Sequence, residues 1–316
     1  MYKQIIISAG GGLVSAILAL GLLTGSSGAL LFAYFALLPL LLIGLSLGLV
    51  KVTIAIVVAA IAVAGLAGLG QAAVYVASIS MPAWLITRYG VTSRSGPGGV
   101  SAPFSPGDIL VRVAIGGGLL LMLAALATGN SDESFEIWVG TFIERMLSAR
   151  LAAASVEAER VLFAQSLTPL FPAITALSWL IMVVINAALA QMLLTRGGKN
   201  LRSRVAYTQT AISEWYYWVF IAAAALSLLA SGSVEYLTRN LAVILAAPFL
   251  FVGLGVIHCL ARRVTAPGMA LTAFYVVLIL FSWAGIIVAG LGFLEPWTRL
   301  NRRFTKLPPG IDMEDE

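Results

Sequence analysis

The sequence has almost none of the residues from which metal sites and disulfides are built. Cys259 is the only cysteine and His258 the only histidine among 316 residues. A single cysteine excludes an intrachain disulfide, and a His/Cys metal site normally needs three or four ligands. We therefore expect no metal ion and no cofactor.

Charged residues are also few. Only 10% of the residues are charged, 60% are hydrophobic, and the mean hydropathy is +0.99, whereas a soluble domain carries roughly 25% charged residues. A membrane-spanning helix needs about 20 apolar residues, and this chain has several uncharged intervals at least that long. These intervals lie between Lys3 and Lys51, Lys51 and Arg88, Arg112 and Asp132, Arg160 and Arg196, Glu214 and Glu235, Arg239 and Arg262, and Arg263 and Glu295.

The long apolar runs predict an all-α polytopic bundle of eight or nine transmembrane spans. They exclude the strands of a membrane barrel, which would alternate over about 10 residues. We expect one transmembrane domain over 1–295, followed by a tail over 296–316 that is first basic and then acidic. The predicted spans are 5–23, 29–50, 52–69, 71–87, 109–128, 168–195, 212–230, 240–261 and 268–292.

One apolar interval is too long for a single span. As one helix, residues 52–87 would reach about 54 Å, against a hydrocarbon core of about 30 Å. A helical hairpin is therefore predicted, with its turn near Gly65, Gly68 and Gly70 and a short second arm interrupted at Pro82.

Two segments depart from the apolar pattern. Gly and Pro in residues 88–108 predict a loop without regular structure. Residues 131–165 mix charged and apolar side chains, which indicates one or two amphipathic helices on the membrane surface or across the end of the bundle. This segment is either a plain surface element or a platform that binds partner membrane proteins.

The net charge of +5 and the pI near 9.5 do not indicate nucleic acid as a partner. The basic residues lie at the ends of the apolar runs, where the positive-inside rule places them. With nine spans, a cytoplasmic N-terminus puts most Lys and Arg inside, although the basic tail would then lie outside. We expect a cytoplasmic N-terminus and leave the side of the C-terminus open.

Catalytic patterns are missing as well. No acidic residue lies in the middle of a predicted span, which argues against a proton pump of the carboxylate type. GxxxxGK[ST] is not present, and neither HExxH nor GxSxG stands out. We expect a protein that is not an enzyme.

Polar and aromatic residues in the spans are the candidates for ligand binding. Asn186 and Gln191 lie on the sixth predicted span, and Trp215 and Trp218 open the seventh. Asn186 either bonds across helices or lines a pocket, since a polar group in hydrocarbon needs a partner or a cavity. The tryptophans either form an interfacial belt or stack on a flat ligand. His258 is interpreted as interfacial.

Several patterns together resemble one family of bacterial membrane proteins. They are the run from Phe35 through Pro39 to Lys51, the segment Met81-Pro82-Ala83-Trp84-Leu85, the charged helix at 131–165, the Asn186 span that ends in Arg196-Gly197-Gly198, and Ser213-Glu214-Trp215. In this order they resemble the YybS-like family of uncharacterised polytopic membrane proteins. The resemblance implies a location in the bacterial inner membrane.

That family is distantly similar to the substrate-binding membrane subunits of energy-coupling-factor transporters. The similarity implies binding or uptake of a small molecule, but it carries no site residues. The small-residue docking pattern of those subunits is loosely matched by Ser8, Gly12 and Ala16. Our first hypothesis is a transport component that binds a small apolar or aromatic ligand between helices. The alternative is a scaffold that binds partner proteins through 131–165.

Overall fold

A computed structural model describes residues 2–21, 27–95, 101–128, 134–150, 157–199 and 212–298. Within these ranges the chain is a bundle of helices with one short pair of strands. The helices are α1 Tyr2–Leu20, α2 Ser27–Tyr34, α3 Leu37–Leu47, α4 Leu49–Ala67, α5 Leu69–Tyr75, α6 Met81–Val91, α7 Pro106–Thr128, α8 Phe135–Arg150, α9 Glu157–Leu167, α10 Phe171–Arg196, α11 Glu214–Leu229, α12 Gly232–Ala261, α13 Pro267–Leu280 and α14 Ser282–Thr298.

Six helices of the described chain are long and apolar enough to cross a membrane, or seven if one bent pair counts as a span. The prediction was eight or nine. The difference arises because two predicted spans form shorter apolar helices, Leu31–Leu47 and Glu214–Leu229. The six long helices are Tyr2–Leu20, Leu49–Ala67, Leu69–Val91, Pro106–Thr128, Glu159–Arg196 and Gly232–Ala261.

Small residues bring α1 and α4 into close contact. Ser8, Gly12 and Ala16 are buried on one face of α1. A Cβ at Gly12 would overlap the backbone carbonyl of Ala55 on α4, so only glycine allows this approach. The pattern that resembles a docking surface therefore packs inside the protein's own bundle.

The interval 52–87 turns at Gly68, one of the three glycines named from the sequence. Gly68 has φ +89°, a left-handed conformation that favours glycine. The returning arm continues through Pro82 instead of breaking there. A five-residue π-helix, Val76–Ser80, directly precedes α6 and joins it to α5 without a gap.

The second predicted span, 29–50, is interrupted between α2 and α3. Around the break, the N–H groups of Phe35, Ala36 and Leu38 each bond to the carbonyl three residues earlier. Pro39 follows within one turn and has no N–H to continue the α-helical ladder. The span is thus two helices with a tight turn between them.

The region 88–108 is more regular than predicted. Helix α6 continues to Val91, and the strands Ser93–Ser95 and Ser101–Pro103 pair in antiparallel fashion. Residues 96–100 lie outside the described chain.

The charged segment 131–165 contains α8 and α9, although residues 131–133 and 151–156 lie outside the described chain. Helix α8 buries Phe135, Val139 and Ile143, which share one face. It also leaves large apolar side chains exposed, so its outward side is not uniformly polar. These side chains are Ile137, Trp138, Phe142 and Met146.

The predicted ninth span, 268–292, is not one straight helix. Helices α13 and α14 meet at Phe281 and differ in direction by 117°. Helix α14 packs closely on α12, because Cβ atoms at Gly253 and Gly292 would overlap backbone carbonyls of the facing helix. The tail beyond Thr298 lies outside the described residues.

A buried amide joins α12 to the start of α10. Asn240 accepts a hydrogen bond from Ala173 N–H at 3.0 Å and donates to the carbonyls of Pro169 and Tyr236 at 3.0 and 2.9 Å. Ala173 N–H belongs to the first turn of α10, where backbone donors have no intrahelical partner. Asn240 therefore caps α10 from another helix.

We expect Asn240→Ala to destabilise the protein by about 2 kcal/mol or more, because it removes the partner of the buried Ala173 N–H and of the partly buried Pro169 carbonyl. The measurement is the apparent melting temperature in detergent. Thr272→Ala removes an exposed hydroxyl that bonds only within α13 and should leave that temperature unchanged. Equal temperatures for both variants would contradict the capping role.

Candidate functional site

A cavity of about 510 Å³ lies between α3, α6, α7, α10, α12 and α13. Its walls come from residues three or four positions apart on α7 and α10, the spacing of one helix face. On α7 these are Ile109, Leu110 and Val113, and on α10 the set includes Val183 and Ala187. Most lining side chains are apolar, so the cavity suits a ligand with an apolar body.

The polar lining residues are few and come from the ends of two long helices. Gln191 lies on the last turns of α10, and His258 and Arg262 close α12. Tyr275 of α13 also lines the cavity. The cavity thus combines apolar walls with donors, acceptors and a positive charge at one end.

His258 is held in place by two contacts. Its Nδ1 lies 2.8 Å from the carbonyl oxygen of Leu254, and its ring meets Tyr275 edge-on, with 5.9 Å between centroids. A carbonyl oxygen only accepts, so Nδ1 is the donor in this hydrogen bond. The pair ties α13 to the end of α12 beside the cavity.

An Arg–aromatic cluster adjoins the same end. The Arg112 guanidinium carbon lies 4.3 Å from the ring centre of Tyr89 and 5.2 Å from that of Phe104, both within cation–π range. Phe104 also lines the cavity. On the preceding turn, the Asp108 carboxylate accepts a hydrogen bond from Ser213 Oγ at 2.5 Å. The cluster joins α6, α7, the segment after the strand pair and the start of α11.

Of the four candidates chosen from the sequence, only Gln191 lines this cavity. Asn186 is fully buried on another face of α10, where its Nδ2 donates to the carbonyls of Tyr34 and Met182 at 2.8 Å each. Asn186 therefore bonds across helices, the first of the two roles considered for it.

Trp215 and Trp218 point outward from α11, with 48% and 72% of their surface exposed. The residues between them, Tyr216 and Tyr217, are buried and pack on Phe249 of α12. The structure therefore does not bring the two tryptophans to the cavity, and their exposure suits an interfacial belt.

Sequence reasoning missed three polar residues of the site. His258 was interpreted as interfacial, Arg262 only as the end of a span, and Tyr275 was not singled out. The spacing of Leu254, His258 and Arg262 places them on one helix face, a signal available in the sequence. Nothing in the sequence places Tyr275 beside them, because the bend at Phe281 decides the course of α13.

Within the described ranges, no three His, Cys, Asp or Glu side chains come together in a way that could hold a metal ion. The lining residues named above offer apolar contacts and hydrogen-bonding groups to a molecule in the cavity.

Comparison with known proteins identifies a family. The family model described as a predicted membrane protein, DUF2232, matches residues 2–295. No curated protein and no solved structure matches the chain.

We expect Arg112→Gln to lower the apparent melting temperature in detergent by a few degrees, because it removes two cation–π contacts worth about 0.5–2 kcal/mol each. Arg196→Gln, at an exposed position on the last turn of α10, serves as the charge-matched control. If both variants melt at the wild-type temperature, the cluster contributes nothing to stability.

Proposed function

Because the chain belongs to the DUF2232 family of predicted membrane proteins, we propose its function from its own cavity: it binds a small, largely apolar molecule as a component of a transport system in the bacterial inner membrane. The observation that carries this proposal is the 510 Å³ cavity bounded by six helices. Cavities of about 300–1,000 Å³ with apolar walls and a few placed polar groups are typical of small-molecule sites.

The positions of the polar lining residues indicate which part of the ligand would be polar. An apolar body fits between α7 and α10, and a polar or anionic head belongs beside Gln191, His258 and Arg262. Arg262 is exposed, so its charge keeps its hydration until a ligand arrives. The ligand class that suits these features is a compact amphiphile with a hydrogen-bond-accepting or anionic head.

The head group would lie at what we call the basic end of the bundle, where α3, α6, α10 and α12 terminate and α4 and α7 begin. Lys51, Arg88, Arg196 and Arg262 all belong to these helix termini. By the positive-inside rule we place this end in the cytoplasm. The start of α1 lies on the same side. Gly12 approaches Ala55, and four residues further along each helix Ala16 and Ala59 share one buried cluster, so α1 is parallel to α4.

In this proposed orientation the shorter helices also cross the membrane. Helices α2 and α3 together, α11, and the bent pair α13–α14 add to the six long helices and make nine spans, one of the two counts expected from charge spacing. In a bilayer, breaks within a span are tolerated where neighbouring helices pair the freed backbone groups. Asn186 supplies such a pairing at Tyr34.

A second candidate function is a scaffold that binds partner membrane proteins through α8. The observation that favours it is the partly exposed pair Trp138 and Phe142, whose rings are stacked with 5.7 Å between centroids. If this surface holds a partner, Trp138→Ser with Phe142→Ser should release a protein that co-purifies with the wild type.

The test of the ligand proposal is native mass spectrometry of protein purified from its own host, with gentle activation to release bound species. Ala187→Trp places an indole in the cavity wall, and Ile185→Trp places the same side chain at an exposed position of α10 that does not line the cavity. We expect a stoichiometric small molecule in the wild type and in Ile185→Trp, and its loss in Ala187→Trp.

The outcomes separate the two candidates. No bound small molecule in the wild type, or equal occupancy in both tryptophan variants, would overturn binding in the cavity. A stoichiometric partner protein without a small molecule would support the scaffold instead.

A further inference from the structure

A second cavity, of about 320 Å³, lies at the opposite end of the bundle between α7, α8 and α10. We call it the outer cavity and the 510 Å³ one the inner cavity. The outer cavity is rich in aromatic side chains, and its lining is almost entirely apolar. These aromatic residues are Phe135, Trp138, Phe142, Phe171 and Trp179.

Both cavities lie along the same groove. On α7 the inner cavity is lined by residues 106, 109, 110 and 113, and the outer cavity by 117, 120, 121 and 124. Apart from the adjacent pairs 109/110 and 120/121, the series advances in steps of three and four, which is a single helix face. On α10 the lining also passes directly from 171–179 to 183–191. About one helical turn separates the two cavities.

The separation coincides with three consecutive glycines on α7. A Cβ at Gly116 would lie 2.8 Å from Met81 Cε, and one at Gly117 would lie 3.1 Å from Trp179 Cζ3. The two large side chains therefore occupy space that exists because these positions have no Cβ. Met81 and Trp179 therefore contact α7 at the level that separates the two cavities.

Trp179 is held across the groove by a hydrogen bond. Its Nε1 donates to the carbonyl oxygen of Ser78 at 2.6 Å. In an α-helix that carbonyl would accept from residue 82, which is a proline and has no N–H. The π-helix and Pro82 together leave an acceptor available inside the bundle, and the indole uses it.

We propose that the inner and outer cavities are the two ends of one route through the protein, and that Trp179 with Met81 forms the barrier between them. The identity of the cargo, a compact molecule with an apolar body, rests on the proposed function. The aromatic lining of the outer cavity suits the same body, since aromatic faces pack well against flat or apolar groups.

The barrier can be tested without any ligand. In a background with Cys259→Ala, Ala187→Cys places a single thiol in the wall of the inner cavity. A membrane-impermeant methanethiosulfonate is then applied to proteoliposomes from each side in turn. We expect modification from the basic end alone, because the barrier blocks access from the outer cavity.

When Trp179→Ala is added to this background, the reagent should reach the introduced thiol from the outer end as well. We expect the rate of modification from that end to rise by about tenfold. Trp218→Ala, which removes an exposed tryptophan on α11, should leave the sidedness unchanged. Met81→Ala provides a second opening should the Trp179 variant fail to fold. Trp179→Phe keeps an aromatic ring but loses the bond to Ser78, so it should give an intermediate rate.

Unchanged sidedness in both Trp179→Ala and Met81→Ala would overturn the barrier, as would equal modification of the introduced thiol from both ends in the parent. Because the assay needs no ligand, these results are independent of the mass spectrometry. A bound molecule found there together with unchanged sidedness here would leave the binding function standing and reject the route.

Discussion

This structure depends on one constraint: backbone N–H and C=O groups that have no partner within their own helix must find one elsewhere. In hydrocarbon an unpaired N–H or C=O costs several kcal/mol, yet this chain interrupts its helices repeatedly. Side chains from other helices supply the partners at these places. Asn240 accepts from a backbone N–H in the first turn of α10, and Asn186 donates to the last carbonyl of α2. Trp179 donates to the Ser78 carbonyl, whose α-helical partner would be Pro82. Each interruption thereby becomes a contact between helices.

These contacts explain why α10 is central to the bundle. It is fixed to α12 through Asn240, to the α2–α3 turn through Asn186, and to the π-helix through Trp179. The helix is therefore held at its start and along its length by hydrogen bonds, which have more directional preference than apolar contacts. A rigid α10 keeps one wall of both cavities in place.

Much of the fold could be predicted from charge spacing, because lipid demands long uncharged helices and glycine marks where they turn. The hairpin turn at Gly68 is an example. The bend at Phe281 could not be predicted, since no proline or glycine marks it. At the site, Gln191 could be predicted because a polar residue stands out in an apolar span. Asn240, outside the site, could not, because it lies at the boundary of a predicted span, where polar residues are common. The two tryptophans of α11 were chosen over their buried tyrosine neighbours, because a sequence pattern does not show which face of α11 meets α12.

Phe104 belongs both to the inner cavity and to the Arg112 cluster, so the cavity wall is partly made by a residue next to the strand pair. A change in that connecting segment can reshape the cavity while every helix keeps its sequence. Connecting segments vary more than the elements they join. Sequence change in this connecting segment alone is therefore enough to alter the shape of the inner cavity, with the helices of the bundle unchanged.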